Sequence, residues 1–323
     1  GEWNYSYHCA FCQHEETVDL RKSKNVKLAW RIDWPMRWAF EKVDFEPGGK
    51  DHSSQGGSFD TSKNIVKKIW QQEPPIYLQY DFVSLKGTQG KMSSSSGELV
   101  TLGEVLEVYE PQIVRWIFAN HRPNHDFSIS FDEDVIKIYE EFDRAEATAL
   151  GAKPEKPGRW PIIRRTYELS LLEEKLPAKT PKRSSFRLLC NRLQICALDP
   201  KRTFTKFYAQ ELSDDEAVYY WQRVKRALHW LNNYAPEEFC YQLNSKAVSL
   251  ELTKQQESAL KALSNLISKI DLDAIELKDL NDKIWQEVVH EASCDTKEAF
   301  KAIYQKLILR DQGPRLPSFL KEI

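Results

Sequence analysis

The chain has 323 residues, 41% hydrophobic and 29% charged, which allows about two domains with a sizeable core. A formal net charge of -2 announces no global affinity for nucleic acid, so any RNA contact must come from local patches. No apolar run approaches the ~18 residues of a membrane span. The 6 cysteines lack the spacing of a disulfide framework, so a soluble cytoplasmic protein without a membrane partner is expected.

Near the start, His8-Cys9-Ala10-Phe11-Cys12-Gln13-His14 has the two-thiol knuckle of a zinc site. No second such pair follows to complete a tetrahedral set, so Cys9 and Cys12 read either as half of a structural zinc site, with His14 as a partner, or as free thiols in a loop. The segment Trp30-Arg31-Ile32-Asp33-Trp34-Pro35-Met36-Arg37-Trp38 crowds tryptophans among charges. It fits a buried strand end, or a wall for a ligand with an aliphatic stem and a cationic head. In Gly48-Gly49-Lys50-Asp51-His52, glycines followed by an acid and a histidine could set amides and a carboxylate around a ribose or phosphate. A plain turn and cap is the alternative.

Apolar positions over 62–70 have helical spacing, and 76–83 alternates as a strand does, which together predict an α/β layer. The loop Lys91-Met92-Ser93-Ser94-Ser95-Ser96-Gly97 offers one cation, hydroxyls and glycine-flanked amides, a composition that suits phosphates but also makes flexible linkers.

From Thr101 the texture turns helical. Thr101 and Glu104 form a capping box, helices are predicted at 112–120 and 132–150, and 151–158 reads as a linker. Beyond it, Ser213 with Glu216 and Thr253 with Gln256 open further helices. Weaker periodicity runs through Trp285 and Val288, and again over 299–309, after which Gly313-Pro314 reads as the stop. Cys190 and Cys196 read as packing residues. Basic clusters at 159–165, 179–187 and 201–202 are solvated faces or contacts for RNA phosphates.

The order Lys91-Met92-Ser93-Ser94-Ser95 resembles the Lys-Met-Ser-Lys-Ser signature of class I aminoacyl-tRNA synthetases, with Ser94 in place of the second lysine. Taken with 27–35, Gly49-Lys50-Asp51-His52, Tyr80-Asp81-Phe82, Glu110-Pro111, 115–123 and 139–144, the chain resembles class I lysyl-tRNA synthetases, most strongly over 27–150. The resemblance implies an α/β part followed by an all-α part: a portion of a Rossmann-type catalytic domain over 1–100, a connecting helical region over 101–155, and a helical anticodon-binding domain over 156–323. It implies ATP with Mg2+, L-lysine and tRNA(Lys) as substrates and partners, with zinc as a structural possibility. Trp30, His52 and Tyr80 match lysine-pocket positions. Gly49, Asp51, Lys91 and Met92 match ATP-binding positions, and Lys91, Ser93 and Ser95 match the catalytic phosphate loop. Asp33 is expected to meet the substrate ammonium.

The family's His-Ile-Gly-His signature does not precede Trp30. The chain is therefore expected to be an incomplete portion that cannot by itself make lysyl-adenylate, an expectation that lysine-dependent pyrophosphate exchange would overturn. Two other readings remain: a tRNA-binding module without catalysis, and a glutamyl-type relative sharing the helical tail.

Overall fold

The computed structural model describes residues 2–87, 100–173, 175–246, 249–291 and 293–323. They divide into two compact units, one of residues 1–84 with 122–128, the other of 85–121 with 129–323.

The first unit opens with a hairpin in which β1 (Asn4–His8) pairs antiparallel with β2 (Glu15–Asp19). Next, α1 (Trp30–Glu41) leads to β3 (Phe45–Gly49), a 3-10 turn at Lys50–His52, α2 (Ser58–Ile65) running into a π-helical turn at Val66–Trp70, and β4 (Ile76–Tyr80). β3 and β4 are parallel, Phe45 facing Ile76 and Gly49 facing Tyr80, so α2 is the crossover of a β-α-β unit. The α/β expectation holds for this unit.

The tryptophan segment is a helix and not a strand end. Trp30, Trp34 and Trp38 recur every fourth residue on one helical face, and their rings lie 5.2 and 5.0 Å apart in succession. Pro35 sits within that helix, which disguised the period. Trp34, Trp38, Ala39 and Val66 form the unit's core, with Phe59 and Tyr77 packed against it at 3.8 Å from each other. Lys42, in the left-handed region at φ 54, ends the helix, and Val43 closes the turn by donating to Trp38 O.

The strand predicted over 76–83 is interrupted after Tyr80. Asp81 bonds away to Pro123 O, and β5 (Val83–Leu85) pairs instead with β6 (Phe127–Ile129).

The second unit is helical. It contains α3 (Leu102–Val108), α4 (Pro111–Asn120), α5 (Asp134–Ala149), α6 (Trp160–Ser170), α7 (Phe186–Ile195), α8 (Pro200–Phe207) and α9 (Asp214–Asn233). There follow α10 (Lys254–Lys269), α11 (Leu277–Lys283) extended by a π-helical stretch at Ile284–His290, α12 (Thr296–Ile308) and α13 (Leu316–Glu322). Three helices start as their sequences dictate: the capping boxes at Thr101, Ser213 and Thr253 are all formed. Gly313-Pro314 is not the end, because α13 follows with Leu316, Phe319 and Leu320 buried in the core that α10, α11 and α12 share. At 7 residues it is too short to show a period, and Pro317 in its first turn fits the helix rather than ending it.

Where α4, α5 and α9 meet, Arg223 is 1% exposed. Its guanidinium donates to Glu110 Oε1 at 2.7 Å, to both oxygens of Asp143 at 2.8 Å and to Ser184 O at 3.0 Å. Arg183 bridges Asp143 and Glu146, and the Tyr167 hydroxyl donates to Glu146 at 2.9 Å. Burial alone would raise both acids. At Asp143 the two guanidiniums outweigh burial and hold the carboxyl below its ordinary value, whereas at Glu146 burial prevails and the value is raised.

Candidate functional site

β3 and β4 end side by side, and the carboxyl edge of a parallel sheet is where open α/β folds bind ligands. The chain leaves β3 there through the turn Lys50–His52. Glycine is required at Gly48, where a Cβ would stand 2.7 Å from Cζ of the packed Tyr77 ring; at Gly49 a Cβ would crowd only the Asp51 carboxylate, 2.7 Å from its Oδ1. The Tyr77 hydroxyl donates to Gly49 O at 3.3 Å and lies 2.8 Å from the Ser53 hydroxyl, so the turn is tied to β4. A second tie joins the strand ends. Lys50 Nζ lies 2.5 Å from Asp81 Oδ1 and 4.8 Å above the Phe82 ring. The Lys50 ammonium and then the Phe82 amide hold Asp81 below the usual carboxylate range.

Five residues singled out from the sequence gather at this edge. Asp51 folds back toward Gly49, and Tyr80 is the residue opposite Gly49. His52 lies beside Asp51, its Nε2 3.9 Å from Asp51 Oδ1, and its ring is 6.3 Å from Trp30 and 5.7 Å from Trp34. Trp34 is buried, while Trp30 and Tyr80 remain 49% and 46% exposed. Two open aromatic faces near a carboxylate and an imidazole can hold an apolar stem and attract a cation, and Asp51 can accept hydrogen bonds from ligand hydroxyls.

Asp33 is placed differently: Arg37 Nε donates to its Oδ2 at 2.8 Å, one turn along α1. Lys91, Met92, Ser93 and Ser95 lie outside the described residues. The sequence reading gave no role to Ser53 and Tyr77, or to Lys50 and Asp81 within the segments it quoted, and these four shape the turn. Their signal was faint, since only contact across two strands reveals it.

At the hairpin tip the amides of Cys12 and Phe11, with the Cys12 thiol, point at Cys9 Sγ and lower its pKa. Gln13, at φ 63, reverses the chain, and Cys9 N–H donates to His14 O. His14 itself is directed to Glu16, 3.8 Å away. Among the described residues no group of three or more His, Cys, Asp or Glu could hold a metal. Of the two readings of Cys9 and Cys12, the zinc site finds no support among these residues: His14 is turned to Glu16 and no further ligand stands beside the two thiols. None of the helices among the described residues is long and apolar enough to cross a membrane.

The sequence pattern of the family described as tRNA synthetases class I (K) matches residues 1–172. The chain belongs to this family. It is also 41% identical over 326 residues to the lysine–tRNA ligases of Borrelia garinii subsp. bavariensis and Treponema pallidum, and 37% identical over 329 residues to that of Thermococcus kodakarensis. Each comparison covers 100% of this chain, which spans 61%, 60% and 61% of those relatives' lengths. Similarity thus continues through the helical half, beyond the stretch 27–150 where motifs were legible. Two segments singled out from the sequence, Glu110-Pro111 and 139–144, supply Glu110 and Asp143 to the buried arginine network. Their role in the structure is architectural.

Proposed function

We propose that this chain is part of an ATP-dependent lysine–tRNA ligase, which activates L-lysine as lysyl-adenylate and transfers it to tRNA(Lys). The observation that carries the reading is the gathering of Trp30, Gly49, Asp51, His52 and Tyr80 at one sheet edge, in a chain of the class I (K) family. Trp30, His52 and Tyr80 then line the lysine side chain. Gly49 lets the backbone approach the adenosine, and Asp51 accepts hydrogen bonds from its ribose. The loop carrying Lys91, Met92, Ser93 and Ser95 surrounds the triphosphate, which brings Mg2+ with it.

The lysine carboxylate attacks the α-phosphorus in line and pyrophosphate leaves. The protein's share is positioning and charge, with no covalent bond to the enzyme. On this reading 1–100 is part of a Rossmann-type domain, 101–155 connects, and 156–323 binds the anticodon arm.

A thermal-shift comparison tests the amino-acid assignment. L-lysine with ATP should raise the melting temperature, L-glutamate should not, and Trp30→Ala should abolish the lysine effect. Equal shifts with both amino acids would refute the lysine pocket. For the RNA half, lysine tRNA transcripts with native and altered anticodons should differ in affinity at a fixed salt concentration. Equal weak binding would refute anticodon reading by this chain.

A further inference from the structure

A cavity of about 300 Å³ lies where α4, α5 and α6 meet in the helical unit. Its volume is at the lower end of the range of small-ligand sites, roughly 300–1,000 Å³. From α5 come Glu141, Arg144 and Thr148, at the three- and four-residue steps that share one helical face. Arg159 and Ile163 line it from the start of α6. Trp116 on α4, which is 6% exposed, and Ala145 on α5 complete its apolar part.

The polar groups of this cavity are unspent. Other arginines of these helices have carboxylate partners: Arg164 and Arg165 share Glu168, and Arg187 reaches Glu140. Among the described residues Arg144, Arg159 and Glu141 make no ion pair and no side-chain hydrogen bond. Glu155, also on the wall, accepts one bond, from the Lys156 amide at 2.8 Å. Thr148 is the most informative. A buried threonine in a helix commonly bonds back to the carbonyl one turn earlier, as Thr203 does to Asp199 O at 2.7 Å. Thr148 is 4% exposed, yet among the described residues its hydroxyl has no partner. A buried hydroxyl on a cavity wall, left without its usual bond, calls for a polar group inside.

The balance of charge narrows the ligand. A lone anion would meet Glu141 and Glu155, and a polyamine would meet Arg144 and Arg159, whereas a zwitterion satisfies both pairs. We propose that this cavity binds a free α-amino acid with an uncharged apolar side chain. Its carboxylate lies on Arg144 and Arg159, with the Thr148 hydroxyl donating to it, and its ammonium lies on Glu141 and Glu155. The side chain rests against Trp116, Ala145 and Ile163. L-lysine fits less well, because its second ammonium would face that apolar wall. The residues are other than those assigned to the substrate lysine, so the inference goes beyond the ligase reading and does not rest on it.

The test is isothermal titration of the full 323-residue chain with L-leucine, for which one molecule per chain is expected. Leucinamide lacks the carboxylate and isocaproate lacks the ammonium, so each should bind at least about tenfold more weakly. Arg144→Gln and Glu141→Gln should each weaken L-leucine by about the same factor, and Thr148→Val, which keeps the shape and removes the hydroxyl, by about fivefold. The first two variants break no ion pair among the described residues, so unaltered melting temperatures separate lost binding from lost fold. Absence of L-leucine binding would overturn the proposal. Equal affinity for leucinamide or isocaproate would overturn the zwitterion. Binding unchanged in both charge variants, or abolished by Trp30→Ala, would place the amino acid elsewhere and overturn the assignment to this cavity.

Discussion

Replacing Arg223 with methionine tests the reasoning about the helical unit most severely. Methionine nearly conserves the volume of the stem but removes the charge and four hydrogen bonds from a side chain that is 1% exposed. Asp143 keeps Arg183 at 3.3 Å, so its loss is partial. Glu110 is 2% exposed and, among the described residues, keeps the Gln112 amide as its one side-chain donor, at 2.9 Å. The dominant cost is therefore a buried, uncompensated carboxylate rather than the sum of four hydrogen bonds. Breaking a buried pair from one side costs about 3–5 kcal/mol. For a unit of this size that corresponds to a fall in melting temperature of roughly 6–20 °C.

Urea titration followed by helical circular dichroism would measure the loss. The double variant Arg223→Met with Glu110→Gln should recover a large part of it, because the stranded charge is gone. A cost below about 1 kcal/mol for the single variant, or no recovery in the double, would show that Glu110 does not depend on Arg223 as the geometry requires.

Gly48→Ala should destabilise the first unit by roughly 1–3 kcal/mol, read in a thermal melt, since the added Cβ collides with the Tyr77 ring. Ser213→Ala should cost about 1 kcal/mol by removing the cap and half of the box that opens α9, measurable by urea titration. Because the native state holds Asp143 below its ordinary 3.8, its contribution to stability is complete above that pH and is lost as pH falls through the depressed native value; Asp143→Asn should flatten the acid limb of a stability–pH profile. Iodoacetamide at neutral pH, followed by mass spectrometry, should label Cys9, whose pKa is lowered, well before Cys190, whose thiol is fully buried and raised.

Local chemistry was legible in the residues alone. A hydroxyl followed three positions later by Glu or Gln satisfies amides within one turn, so Thr101, Ser213 and Thr253 declared their helices without help from the rest of the chain. Gly49-Lys50-Asp51-His52 likewise marked a turn, which the structure forms at Lys50–His52. The helical nature of 30–41 was misread as a strand end, because alternating charge and an internal proline outweighed the fourfold spacing of Trp30, Trp34 and Trp38, whose rings line one face.

Other features required the folded chain. Arg223 looks in the sequence like any surface cation of an amphipathic helix, yet its partners are 113, 80 and 39 residues away. A charge can be buried only if opposite charges arrive at the same point, and their arrival is a property of packing rather than composition. The same holds at the sheet edge. Trp30, Asp51 and Tyr80 are each unremarkable where they stand in the chain, and the parallel pairing of β3 with β4 brings the latter two to one rim, where α1 adds the first. Short-range hydrogen bonds are encoded by neighbours and can be read one turn at a time, whereas burial of charge and convergence of a site depend on contacts whose sequence separation carries no local signature.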